Sequence, residues 1–174
     1  MDTQREEIIS GYQRAYRELD GYLSNATPGQ LRGLSTGTKW TNEELLLHMV
    51  FGYMVVRTLL PLVRIVSRLP HSWGKAFARA LNAATLPFDV VNYWGSRAAA
   101  LVYNRERLAR KLERTIRALT LHLDQETPAS LRRSMNFPTR WDPFFAPRMS
   151  LADVYAYPTL HFDFHARQLA LDPQ

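Results

Sequence analysis

Residues 41–56 read TNEELLLHMVFGYMVV, and the way this stretch is buried decides the fold. Thr41 followed by Glu44 has the spacing of a capping box, in which the hydroxyl accepts from an exposed first-turn amide and the carboxylate reaches back. From Leu45 onward the stretch is apolar nearly all round. A helix of that kind belongs inside a bundle rather than on its surface. Pro61 is expected to kink or end it.

Three more helices fall around this one. Ile8, Ile9, Tyr12, Tyr16, Leu19 and Leu23 recur at steps of three or four, after a Thr3/Glu6 pair at capping distance. Leu101, Leu108, Leu112, Ile116, Leu119 and Leu123 form one stripe over roughly 98–124, and Ser150 with Asp153 opens a last helix. The segment 24–40, rich in Pro, Gly, Ser and Thr, reads as a loop. No stretch alternates with the period of a strand. The fold class is therefore all-α, a four-helix bundle in a single domain spanning 1–174. Residues 59–97 form a long, apolar, Pro-punctuated helical crossover between the second and third main helices.

Composition narrows the chemistry. The 174 residues contain no cysteine, so disulfides, thiolate metal sites and a protein thiol nucleophile are excluded. The start, MDTQREEIIS, lacks the apolar core of a signal peptide, and a cytoplasmic location is expected. The net charge of +6 raises nucleic acid or an anionic membrane as partners. The cations are scattered, however, and in YNRERLARKLERTIR (103–117) they alternate with apolar residues at helical spacing. Nucleic acid is not favoured. Membrane insertion of the run 45–63 is not favoured, since Arg57 near its middle is costly in hydrocarbon; peripheral membrane contact through 59–97 is compatible with the sequence but is not favoured either. A homodimer is compatible with a bundle of this size, though no sequence feature establishes one.

The candidate chemistry lies in YPTLHFDFHARQL (157–169). His161 and His165 are four apart, so on a helix both imidazoles project from one face, a turn apart. Asp163 points away from them. Such a pair alone is a weak signal for a metal. His48 strengthens it, because a histidine on the buried helix can meet the pair across the core. Three neutral imidazoles would leave an ion its full charge and an open coordination position. Glu44, one turn before His48, is a candidate base or a candidate acceptor that orients His48; its simpler role is the helix cap. Tyr157 and Gln168 flank the pair and are candidate ligand contacts. Gly52, one turn past His48, leaves room beside the metal or serves helix packing. His71 and His122 read as surface residues, and Trp40, Trp73, Trp94 and Trp141 as core anchors. NFPTRWDPFF (136–145) precedes the last helix and is a candidate lid.

KWTNEELLLHMV (39–50) and SLADVYAYPTLHFDFHARQL (150–169) resemble the DinB-like superfamily of metalloenzymes, related to the mycothiol- and bacillithiol-dependent S-transferases. The resemblance implies a four-helix bundle with a divalent ion, zinc or nickel, held by His48, His161 and His165. It also implies a thiol S-transferase or hydrolase activity on a small substrate, with a low-molecular-weight thiol such as mycothiol as co-substrate; that the substrate is apolar is suggested by the apolar crossover 59–97. The rival readings are a non-catalytic bundle binding a metal or lipophilic ligand, and a membrane-associated helical protein.

Overall fold

A computed structural model describes residues 2–86, 90, 93–95 and 105–171; the side chains of Asp2 and His71 lie outside that description. The expected positions of Leu101 and Pro87, and the start of the third main helix at 98, fall outside the described residues. The chain order is α1 (Asp2–Asn25), α2 (Pro28–Arg32), α3 (Asn42–Val66), α4 (His71–Ala83), α5 (Arg105–Asp124), α6 (Pro128–Leu131), β1 (Ser134–Asn136), β2 (Arg148–Ser150) and α7 (Leu151–Ala166). Helices α1, α3, α5 and α7 form the bundle. Helix α3 packs against both α5 and α7, and α1 packs against the same two from the other side.

Each bundle helix buries the face its pattern predicts. Tyr12, Leu19, Leu45, Leu46, Met49, Leu112, Leu119, Leu123, Tyr155 and Phe162 are wholly buried. Helix α3 opens with the expected capping box, Thr41 with Glu44, and α7 with the Ser150/Asp153 box. Helix α3 is also long and apolar enough to cross a membrane by length and composition, but 56% of that window is buried within the fold. The burial is what a central bundle helix requires.

Several expectations are corrected. Helix α1 already contains Thr3, so the chain turns helical ahead of the expected cap. Residues 24–40 are not all loop: Thr27, Pro28 and Gln30 supply a capping box with proline in the first turn, and the resulting α2 buries Leu31. Pro61 neither ends nor breaks α3, which continues to Val66. Pro61 and Arg57 are both exposed, so the carbonyl deprived of its partner lies on the solvent side. Two three-residue strands pair antiparallel, Met135 opposite Met149, with both methionines buried. Strands this short have no room for a visible alternation. Trp73 and Trp94 are exposed rather than core anchors. The crossover does contain a short helix, α4, as expected.

The residue that ties the open end of the bundle together is Asn42, which is wholly buried. Its amide donates to the Gln30 carbonyl at 2.8 Å and its oxygen accepts from Ala170 N at 2.9 Å. One side chain thus joins α2, the start of α3 and the segment after α7. On the opposite flank Arg14 of α1 pairs with Asp163 of α7 at 2.8 Å. That pair is partly exposed and contributes little beyond alignment.

Truncating Leu119 to Ala leaves a cavity where no solvent reaches. The expected loss is about 2–5 kcal/mol of unfolding free energy, measured by urea denaturation with an unchanged slope.

Candidate metal centre

Helices α3 and α7 place His48, His161 and His165 together, with one ligand nitrogen from each lying within 4.8 Å of the others. The three rings meet at centroid separations of 4.6–4.8 Å. The Nε2 atoms of His48 and His161 are 3.2 Å apart. Two nitrogens on one tetrahedral zinc, at bond lengths near 2.0–2.1 Å, stand about 3.3 Å apart. The donor set is chemically suitable for zinc or nickel.

Gly52 makes this approach of α3 to α7 feasible. A Cβ built there would lie 2.8 Å from His161 Nδ1 and 3.3 Å from Cε1. The room beside the site is therefore filled by the His161 ring, and no larger residue fits without moving it. His161 Nδ1 is buried and has no hydrogen-bond partner among the described residues, an unusual condition for a polar atom in a core. His48 is covered by the Trp40 ring at 4.3 Å, tilted by 35°.

Electrostatics keep the rings neutral. Burial, followed by the neighbouring His165, pushes His48 down to about 3 from the ordinary 6.5. Burial first, then the other two imidazoles, lowers His161 well below its usual value. His165 is lowered mainly by burial, against the opposing effect of its bond to Gln168. Neutral imidazoles are the form that ligates a metal.

Around the cluster the candidates separate by role. Gln168 Oε1 accepts from His165 Nδ1–H at 2.6 Å, which leaves the His165 Nε2 lone pair for a ligand. Glu44 Oε2 accepts from Thr41 N at 2.9 Å, the cap expected of it. Tyr157 is buried, its ring 5.7 Å from His161, and its hydroxyl donates to Asp142 Oδ2 at 2.8 Å. Sequence reasoning missed Asp142. Its Oδ2 lies 3.9 Å from His161 Nε2, and Oδ1 accepts from Phe144 N at 2.9 Å. Burial raises the Asp142 pKa, against the lowering effect of these hydrogen bonds. The available signal was position: Asp142 is the one acid within the aromatic segment that precedes the ligand helix.

That aromatic segment does cover the site. Phe144 packs on Phe164, Phe145 on Tyr157, and Phe137 on Phe145. The Trp141 indole donates to the Leu81 carbonyl at 2.8 Å, which ties the segment to α4. Between it and α3 lies a cavity of about 290 Å³, with the three histidines and Asp142 in its wall. His122 sits half-buried in the last turn of α5, away from the cluster. The placement of His71 lies outside the described side chains.

Gly52→Ala is expected to displace the His161 ring and weaken zinc binding at least tenfold in a chelator competition, while the helix itself gains propensity. Unchanged affinity would contradict the packing account. A second outcome concerns pH. The folded-state pKa of His48 is depressed, so between about 6.5 and about 3 the unfolded chain binds protons that the folded chain refuses. The metal-free protein should therefore lose stability as pH falls through that window, which thermal melts at stepped pH will measure.

Comparison with protein-family models matches the DinB superfamily over residues 12–169. The match runs from the middle of α1 through the end of α7 and includes the three histidines, and the chain belongs to that superfamily. No curated protein and no solved structure matches the chain.

Proposed function

We propose, from DinB superfamily membership and the histidine cluster together, that this protein is a metal-dependent enzyme acting on a small, apolar substrate. Its reaction is either transfer of a low-molecular-weight thiol to an electrophile or hydrolysis. His48, His161 and His165 would hold one divalent ion, zinc or nickel. When bound, such an ion supplies Lewis acidity and a water or thiol of lowered pKa. The observation that carries the reading is the convergence of three neutral imidazoles on the wall of a cavity large enough for a substrate.

The chain's own residues then have distinct tasks. Gln168 holds His165 in one tautomer, and Trp40 fixes the plane of His48. Asp142, held from two sides by Tyr157 and the Phe144 amide, keeps a carboxylate oxygen close to His161 and facing the cavity. It accepts the proton that the nucleophile sheds. The absence of cysteine means that a thiol used in the reaction comes from a co-substrate. The aromatic segment excludes water from the reacting atoms. The competing reading, a bundle that binds an ion or lipophilic ligand without turnover, uses the same three histidines.

Elemental analysis of purified protein should find about one zinc or nickel per chain. His48→Ala and His161→Ala should both lose it. Asp142→Asn should keep the metal and lose thiol transfer or hydrolysis by at least a hundredfold. Metal retained in both histidine variants would remove the site. Wild-type protein that holds metal but turns over neither thiol acceptors nor esters and amides would favour the binding reading.

A further inference from the structure

The cavity is strongly one-sided in chemistry. His48, Phe51, Val55, Leu59 and Leu62 line it from one face of α3. At 1.5 Å per residue this face runs roughly 20 Å from the histidines to Leu62. The polar side chains in its wall, His48, His161, His165, Asp142 and Tyr157, are gathered at one end by the contacts already described. Phe77 and Leu81 of α4, together with the aromatic segment, line the wall facing α3. Among the described residues no lysine, arginine, serine, threonine or amide side chain lines it. Trp141, the one indole there, already donates to Leu81. Leu59 and Leu62, on the part of this face farthest from His48, are 39% and 40% exposed.

We infer that the cavity takes an elongated amphiphile of about a dozen heavy atoms in all: one compact polar head at the histidine end and an apolar body along α3. The size follows from scale, since a 150 Å³ apolar cavity holds one benzene and this one is about twice as large. Polyhydroxylated or multiply charged molecules are excluded from the body of the cavity, because their polar groups would be buried without partners. A polar co-substrate such as a sugar-bearing thiol therefore reaches the histidines with only its thiol end. The inference rests on the proposed metal site for the head alone; the body is assigned by the cavity wall.

Two ligand series separate these parts. Straight-chain alkyl hydroxamic acids, which chelate metal, are titrated calorimetrically into the protein with its metal bound, beside the matching primary amides, which do not chelate. Each added methylene should tighten the hydroxamates about fourfold up to a ligand of about a dozen heavy atoms, head included. The amides should follow the same length dependence at weaker affinity. Gluconic hydroxamic acid should bind no tighter than acetohydroxamic acid. Val55→Phe should shorten the optimal chain with metal content unchanged. Hydroxamate affinity that ignores chain length, or a polyhydroxylated hydroxamate as tight as its alkyl counterpart, would overturn the cavity assignment and leave the metal site standing. Hydroxamates no tighter than amides, with length dependence retained in both, would overturn the metal site and leave the cavity assignment standing.

Discussion

The close packing of α3 on α7 at Gly52 is the constraint on which the rest of the site depends. With no Cβ in the way, the His161 ring sits against the α3 backbone and its Nε2 comes within 3.2 Å of His48 Nε2. A methyl group there would force the ring or the helices apart. Glycine inside a helix costs about 0.5–1 kcal/mol relative to alanine. The fold accepts that cost where three imidazoles have to converge.

Burying those imidazoles carries a second cost. Among the described residues no group pairs with His161 Nδ1, and burial holds the His48 pKa well below its ordinary value because a charge there would be unfavourable. A cluster of polar rings in a core is poor for stability on its own terms. In this structure His48 and His161 share one hydrogen bond between their Nε2 atoms, and a cation held there would take the lone pairs of both as ligands. Surrounding groups are arranged accordingly: Gln168 sets one tautomer, Trp40 sets one ring plane, and Asp142 with Tyr157 completes the polar end. Asn42 joins the two ends of chain that carry Trp40 and Gln168.

Much of this was legible in the chain itself. The all-round apolar run after Thr41 announced a central helix, and helical spacing alone put His161 and His165 on one face. The place of His48 on the buried helix then pointed to its partnership with the pair, family resemblance agreed, and the match over 12–169 bears out the family. What stayed hidden has physical reasons. Asp142 is distant in sequence from His48, and only the folded aromatic segment brings it to His161. Pro61 did not end α3 because a proline on the exposed face of a long helix interrupts a bond that solvent can replace. The β1–β2 pair was too short to alternate. Gly52 was noticed as a possible space, but that the space belongs to the His161 ring required coordinates.

The central claim is that His48, His161 and His165 share one cation. Anomalous diffraction from crystals of the intact protein, collected on either side of the zinc and nickel absorption edges, tests it most directly. The account predicts a single strong peak at about 2.0–2.1 Å from one nitrogen of each ring. Well-ordered rings bonded to each other or to water, with no anomalous peak between them at either edge, would contradict it.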